Sequence, residues 1–275
     1  MSTSFLEEVD IWQKAPFDNE TQQAVVALKN NPEALEDAFY KDLEFGTGGM
    51  RGVMGVGTNR VNKYTFGRTT QGLSNYINSQ FTTETPRVVI GYDCRHNSKE
   101  LAEIVADIFA ANNIDVFLFT DLRATPEVSF AVRHLGCHCG VVLTASHNPP
   151  EYNGYKVYWQ DGGQIVPPQD RAIIDEINRT NYQDIRFDTQ QSRIQHIDSD
   201  VDHAFQKASV EVGRIGNGNR SAVKIVFTSL HGTSITAIPQ VLKAAGYDNV
   251  SIIEEQAKPD GNFPTVGSPD SYVRV

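Results

Sequence analysis

Ser146 and His147 stand side by side where a short apolar run ends, and the rest of the chain is organised around them. The run Val141–Leu143 has the character of a buried strand, and it stops at a polar, proline-rich loop. In open α/β sheets, ligands bind beyond the carboxyl ends of the strands, so a hydroxyl at this place is open to a substrate. Lys156 follows in the aromatic run Tyr155–Trp159, which predicts a second strand close to the loop.

The surroundings of the serine narrow the chemistry open to it. A serine hydroxyl is a weak nucleophile until a base removes its proton or a metal ion activates it. The sequence has no Gly-x-Ser-x-Gly motif, and no Ser-His-Asp arrangement stands out, so acyl-transfer hydrolysis is disfavoured. Phosphoryl transfer depends more on charge neutralisation and positioning than on a strong base. A serine near Arg51, His147 and Lys156 is therefore suited to accept and return a phosphoryl group.

Arg51 lies in a stretch with six glycines between positions 46 and 57. Such a loop lets backbone N–H groups approach a ligand closely, and the arginine can offer a bidentate fork to phosphate. The spacing fits neither a P-loop nor a Gly-x-Gly-x-x-Gly fingerprint. A flexible surface loop is therefore an equal alternative to a phosphate-binding loop at this point.

Alternating strands and helices must position these residues. Strands are predicted at 87–91, 114–120 and 141–144, and helices at 68–79, 98–112, 126–135 and 167–177. This order predicts an α/β fold with a largely parallel sheet and helices on both faces. Polar residues follow each strand, so Arg95, Arg123 and the Ser146–His147 pair are expected at one edge of the sheet.

A polar, irregular stretch at 178–197 predicts a domain boundary. We therefore expect a first domain over residues 1–190 and a second over 191–275. The second shows a helix at 201–212, strands at 223–228 and 250–253, and a helix at 234–245. Two strands leave an open edge and an uncovered face, so the second domain is expected to be truncated.

Composition excludes several classes of protein. The net charge of −10 argues against a nucleic-acid partner or an anionic membrane, which usually require a basic surface. No apolar run is long enough to span a bilayer, and the acidic N-terminus lacks a signal peptide's apolar core. The three cysteines form no disulfide framework, and Cys137–Cys139 has no second pair of metal ligands at suitable spacing. We expect a cytoplasmic protein.

Several motifs resemble the α-D-phosphohexomutase superfamily. The run 144–156 is similar to the phosphoserine signature of that family, and the runs 45–52 and 91–95 resemble two other motifs of its first domain. The runs 228–232 and 259–266 are similar to second-domain motifs of its phosphoglucomutase/phosphopentomutase branch. The resemblance covers the chain from about residue 18 to about residue 269.

This resemblance implies an isomerase, specifically an intramolecular phosphotransferase. Ser146 would carry the phosphoryl group, Arg51, Arg95 and Lys156 would contact phosphate, and His147 would handle protons. The phosphoserine would donate to a sugar phosphate, and the bisphosphate would turn and return its other phosphate, interconverting glucose 1-phosphate and glucose 6-phosphate or a pentose 1- and 5-phosphate. Mg²⁺ would bind an oxygen of the Ser146 phosphate, and glucose 1,6-bisphosphate would be intermediate and activator.

The departures from the family also shape the expectations. The aspartate-rich metal loop, the sugar-recognition loop and the distal phosphate loop of the four-domain family would lie beyond Val275, and 270–275 departs from the family pattern. The alternating aspartates at 198–202 lack glycines and precede a helix, so a capping role is favoured over a metal loop. We therefore expect an N-terminal portion with little mutase activity alone. A catalytically dead sugar-phosphate binder or regulatory fragment, or a serine-nucleophile phosphatase, is the alternative. The preferred sugar and the oligomeric state stay open.

Overall fold

The apolar runs of the sequence become the strands of one mixed sheet. A computed structural model of the 275-residue chain describes residues 5–188, 190–213, 216 and 218–266. The strands are β1 (Gly49–Val53), β2 (Arg87–Tyr92), β3 (Asp115–Phe119), β4 (Cys139–Leu143), β5 (Tyr152–Trp159) and β6 (Ile194–Ile197), in the order β1-β5-β4-β2-β3-β6. Strands β4, β2, β3 and β6 pair in parallel, whereas β5 runs antiparallel to β4 and β1. The predicted, largely parallel sheet is confirmed.

Helices cover both faces of this sheet. They are α1 (Phe5–Ile11), α2 (Asn19–Leu28), α3 (Pro32–Phe39), α4 (Lys63–Gln80), α5 (Ser98–Ala111), α6 (Thr125–His134), α7 (Gln169–Arg179), α8 (Ser199–Val212), α9 (Ile238–Ala244) and α10 (Glu254–Ala257). Leu73, Val105 and Ile173 from α4, α5 and α7 pack on one face. Val128 from α6 and Val201 from α8 pack on the other. Because β4, β2, β3 and β6 are parallel, their carboxyl ends meet at one edge of the sheet.

The N-terminal helices follow the capping signals in the sequence. The side chain of Asn31 accepts a hydrogen bond from the backbone N–H of Ala34 at 3.2 Å, and Pro32 occupies the first turn of α3. Asn31 and Pro32 therefore mark the start of α3 and separate it from α2. Trp12 is fully buried and stacks on Phe17 at a centroid distance of 4.4 Å, so these helices have their own core.

Two strands lie where the sequence predicts none. Residues 49–53, expected as a loop, form β1, because Gly49 adopts a φ of 144° and lets β5 approach closely. A Cβ at Gly49 would lie 1.9 Å from the carbonyl oxygen of Tyr155. Strand β6, within the stretch expected to be irregular, pairs with β3 at the edge of the sheet and buries Ile197. The domain boundary at 190/191 stays a prediction, and β6 beyond it belongs to the first sheet.

A second, smaller sheet follows in the chain. Strands β7 (Ile225–Phe227) and β8 (Val250–Ile252) pair in parallel, and α9 connects them after a 3₁₀ turn at Thr233–Thr236. Helix α8 contacts α6 of the first unit and α9 of the second, so it lies between them. Among the residues that the structure describes, no helix has the length and apolar character to cross a membrane.

Candidate active site

The Ser146 hydroxyl lies on a loop that leaves the carboxyl end of β4. The backbone of Ser146 adopts a φ of 58°, which is uncommon in a residue other than glycine. Its N–H donates to the Thr144 hydroxyl oxygen at 2.9 Å, and the N–H of Thr144 donates to the carbonyl oxygen of Gly154 at 3.0 Å. These bonds tie the start of the loop to β5, while the side chains of Ser146 and His147 stay exposed.

Arg95 holds this loop from beneath. Its Nη1 donates to the carbonyl oxygens of Pro149 and Tyr152 at 2.8 and 3.0 Å. Its Nη2 donates to those of Ser146 and Asn148 at 3.0 and 2.5 Å. The side chain is buried, and these four bonds use all of its terminal N–H groups. The geometry therefore favours a positioning role for Arg95 over the predicted contact with phosphate.

Asp93 supports the same arginine. Its Oδ1 accepts hydrogen bonds from the backbone N–H of Arg95 at 3.0 Å and from the Ser98 hydroxyl at 2.9 Å. Its Oδ2 lies 3.4 Å from the Nε of Arg95. Burial raises the pKa of the Asp93 carboxyl, and these hydrogen bonds and the positive charge of Arg95 oppose that effect. The turn after β2 is therefore a fixed base for the serine loop.

The imidazole ring of His147 lies beside the Ser146 hydroxyl. Its Nδ1 lies 3.4 Å from the Oγ of Ser146, at the outer limit of a hydrogen bond. Catalytic hydrogen bonds are often long before the substrate is bound, so this distance is compatible with a role in proton transfer. The predicted Ser146–His147 pair therefore meets through its side chains.

Arg51 and Lys156 meet on one face of the sheet. In the β1–β5 pairing, Arg51 is opposite Gly154 and Lys156 is opposite Gly49. The two cationic side chains are therefore diagonal neighbours on adjacent strands. Burial of Lys156 and the positive charge of Arg51 lower the pKa of the Lys156 ammonium group, whereas Asp93 opposes this effect. This pair of cations is suited to an anionic ligand.

A glycine makes the approach of Arg51 to the loop possible. A Cβ at Gly154 would lie 2.6 Å from the carbonyl oxygen of Met50 and 2.7 Å from that of Thr144. It would also lie 3.0 Å from the Cγ of Arg51, which passes over this position. A larger residue at 154 would push β1 and the serine loop apart. Gly154 thus acts through strand pairing, because it lets β1 and the serine loop approach each other.

Two cavities meet at Lys156. One, of about 320 Å³, opens at the carboxyl ends of the strands and contains Ser146, His147, Lys156, Arg123, Thr125, Thr144, Asp93, Cys94, Gly232, Thr233 and Phe263. The other, of about 560 Å³, is a cleft along β1 with Arg51, Arg60 and residues 46–50 in its wall. Lys156 lines both cavities, so it connects the serine pocket with the cationic cleft.

Arg123 lies at the predicted edge, but acidic side chains occupy its guanidinium group. Its Nε and Nη2 donate to the carboxylate of Asp202 at 2.8 and 3.0 Å, and its Nη2 lies 3.3 Å from Asp198. Burial and the nearby Asp202 raise the pKa of Glu127 to about 8. The aspartates at the start of α8 therefore bind an arginine of the first unit, and the favoured capping role is not seen for Asp198, whose side chain makes no cap hydrogen bond to the helix.

The second unit contributes residues that sequence reasoning missed. Gly232, Thr233 and Phe263 line the serine pocket, and although the runs 228–232 and 259–266 resemble family motifs, no site role was predicted for these residues. Within the described ranges, no three His, Cys, Asp or Glu side chains cluster closely enough to hold a metal ion.

Comparison with known proteins identifies the family. Residues 42–184 match the family model described as phosphoglucomutase/phosphomannomutase, alpha/beta/alpha domain I, and residues 201–272 match the model of domain II. The chain therefore belongs to the phosphoglucomutase/phosphomannomutase family. The predicted membership of the α-D-phosphohexomutase superfamily is confirmed, as is the predicted fold class.

Relatives and solved structures agree with this assignment. A phosphoglucomutase from Staphylococcus aureus (strain MRSA252) is 40% identical over 236 residues, which are 84% of this chain and 42% of that protein. A phosphoglucomutase from Staphylococcus haemolyticus (strain JCSC1435) is 39% identical over 85% of this chain and 43% of that protein. This chain thus spans less than half the length of these relatives.

The structural neighbours show the same fold. A Thermus thermophilus protein, whose name suggests a phosphomannomutase, superposes with a TM-score of 0.70 at 25% identity, over 82% of this chain and 48% of that one. A phosphoglucomutase/phosphomannomutase family protein from Burkholderia thailandensis superposes with a TM-score of 0.60 at 24% identity, over 79% of this chain and 44% of that one. At this identity, the second match supports the fold alone.

Proposed function

We propose that this chain supplies the phosphoserine loop of an intramolecular phosphotransferase, a phosphoglucomutase that interconverts hexose 1- and 6-phosphates. The observation that carries the proposal is the exposed Ser146 hydroxyl, which shares one cavity with Lys156 on a loop held by four hydrogen bonds from Arg95. The phosphoglucomutase relatives support the same activity. The substrate would be a cytoplasmic sugar phosphate, and a pentose 1- and 5-phosphate pair is the related choice.

Ser146 would carry the phosphoryl group between the two positions of the sugar. In the first half-reaction, the bond between phosphorus and the Ser146 Oγ breaks while a sugar hydroxyl oxygen bonds to phosphorus and passes its proton through His147 to the Ser146 Oγ. In the second, the Ser146 Oγ bonds to the other phosphorus and passes its proton through His147 to the sugar oxygen, which leaves. His147 Nδ1, at 3.4 Å, would give the proton to the Ser146 Oγ and take it back.

Arg51 and Lys156 would neutralise the phosphate charge. Phosphoryl transfer spreads charge over the phosphate oxygens, and positioned cations stabilise it. Arg95, whose terminal N–H groups are bound to the loop, would act by holding Ser146 in place.

Mg²⁺ would contact this chain through an oxygen of the Ser146 phosphate. The described residues offer no cluster of carboxylates for the ion, so we assign no catalytic step to it. Glucose 1,6-bisphosphate would be both the intermediate and the compound that first loads the serine.

Phosphorylation of the serine tests the proposal directly. The 275-residue chain is incubated with Mg²⁺ and glucose 1,6-bisphosphate, and the modified residue is located by peptide mass spectrometry. We expect one phosphoryl group on Ser146 and none in Ser146→Ala. The flanking hydroxyl side chains are those of Thr144 and Tyr152, so fragment ions that separate these positions locate the group. An unlabelled wild-type chain, or equal labelling of Ser146→Ala, would contradict the proposal.

A further inference from the structure

A segment of the second unit lies against the turn that carries Arg95. Gly261, within Pro259–Phe263, is buried against residues 94–96. A Cβ at this position would lie 2.8 Å from the carbonyl oxygen of Cys94, 3.0 Å from the backbone nitrogen of His96 and 3.2 Å from the Cα of Arg95. All three atoms belong to backbone, which cannot move aside as a flexible side chain does. The two segments therefore touch through backbone, and only glycine permits this distance.

Polar contacts fix the segment on both sides of Gly261. The carbonyl oxygen of His231 accepts hydrogen bonds from the Cys94 thiol at 3.1 Å and from the backbone N–H of Asp260 at 3.0 Å. The His96 Nε2 lies 2.8 Å from the Oδ1 of Asn262. The contact is therefore a defined junction between the two units.

Phe263 completes the surroundings of Arg95. The centroid of its ring lies 5.2 Å from the Cζ of Arg95, a distance typical of a cation–π contact. The terminal N–H groups of the guanidinium group donate to four carbonyl oxygens of the serine loop. The Phe263 ring therefore contacts the guanidinium group without competing for these hydrogen bonds. Phe263 also lines the cavity that contains Ser146. The ring therefore touches both the serine pocket and the arginine that holds its loop.

We propose that Gly261 and Phe263 are positioning residues for Ser146: they hold Arg95 in place, and Arg95 in turn holds the carbonyl oxygens of the serine loop. Presentation of the Ser146 hydroxyl thus depends on the second unit, although Ser146 itself lies in the first. The inference rests on the proposed role of Ser146 as the phosphoryl acceptor. The cations proposed to bind phosphate, Arg51 and Lys156, lie on β1 and β5 and not on the Arg95 turn. We therefore expect Gly261 and Phe263 to affect the rate of phosphoryl transfer more than the binding of phosphate.

Hydrogen exchange of the serine loop measures this support without any reaction. The variants are Gly261→Ala and Phe263→Leu, with Phe263→Tyr as the conservative rescue and Gly218→Ala as the control, because no atom lies within 4 Å of a Cβ at Gly218. In Phe263→Leu we expect amide exchange in peptides covering 144–154 to be about five-fold faster, the ratio for loss of a partly exposed cation–π contact, and in Gly261→Ala we also expect faster exchange, because its Cβ pushes the segment off the Arg95 turn. The rescue and the control should exchange as the wild type does. Exchange in α4 should not change.

The rate of phosphoryl transfer provides the second measurement. With glucose 1,6-bisphosphate and Mg²⁺, we expect Gly261→Ala and Phe263→Leu to label Ser146 more slowly at saturation, with little change in the half-saturating concentration. If the wild-type chain is not labelled, the proposed function fails, and the exchange measurement still decides the inference. Wild-type exchange in both variants would overturn the inference. So would slow labelling of Phe263→Tyr equal to that of Phe263→Leu. If Gly261→Ala does not fold, Phe263→Leu decides.

Discussion

Replacement of Arg95 by lysine tests whether one buried guanidinium group holds the serine loop. Lysine keeps the positive charge, but its single ammonium nitrogen has three N–H donors where Arg95 uses four on two nitrogens. At least one carbonyl oxygen of the loop therefore loses its donor. Lysine also lacks the planar guanidinium group, whose two terminal nitrogens reach the carbonyl oxygens of Tyr152 and Ser146 at the same time.

The expected magnitude follows from these bonds. A hydrogen bond to a charged group contributes about 1.5–3 kcal/mol to stability, and one or two of the four are lost in Arg95→Lys. We therefore expect the free energy of unfolding to fall by about 1.5–6 kcal/mol, out of a total of about 5–15 kcal/mol for a typical domain. Arg95 is only 4% exposed, so solvent screening reduces this effect little.

Urea denaturation and hydrogen exchange give the two readouts. The first measures the loss of stability, and the second measures the opening of 144–154, where the N–H of Ser146 should exchange faster. Arg179→Lys is the matched control, because the side chain of Arg179 is 70% exposed in its pair with Glu176. A loss in Arg95→Lys no larger than in the control, with unchanged loop exchange, would refute the reasoning.

Two further predictions concern a buried carboxyl group and a strand glycine. The pKa of Glu127 is raised to about 8, so the folded chain keeps a proton that the unfolded chain releases near pH 4.5, and stability should fall as the pH rises between these values, by at most about 1.4 kcal/mol per pH unit. Glu127→Gln should flatten this part of a plot of unfolding free energy against pH, and an unchanged slope would contradict the assignment. Gly154→Ala should destabilise the fold by at least about 1–3 kcal/mol, because its Cβ would meet the carbonyl oxygens of Met50 and Thr144. Thermal melting against Gly218→Ala checks this, and equal melting temperatures would count against the close approach of β1 to β5.

Local patterns predict most of the first unit. The strands and helices between residues 87 and 143 lie within a few residues of their predicted bounds, because apolar periodicity and turn residues act over short distances. Strand β1 was missed because its glycine content is typical of a loop, and only pairing with β5 makes it a strand. Strand β6 was missed because it is short and carries the polar residues Gln195 and His196.

Part of the candidate site could be predicted from the sequence, and part could not. A serine and a histidine after a buried strand are visible in the sequence, and a family signature makes their role specific. The role of Arg95 is different, because its partner Tyr152 lies 57 residues away along the chain. The sequence shows only that an arginine is present, and an arginine can either bind phosphate or hold the carbonyl oxygens of a loop. Only its burial and hydrogen bonds in the folded structure distinguish these two roles.

The sequence alone determined the α/β alternation, the strand that ends at Ser146 and the cations at 51 and 156, since each depends on residue type and local spacing. The tertiary structure decided that Arg51 and Lys156 are neighbours, because strand register sets that distance. It also decided that Arg95 lies beneath the loop and that Gly261 packs on the turn around it. These contacts join segments far apart in the chain, and their free energy comes from burial and hydrogen bonds that exist only after folding.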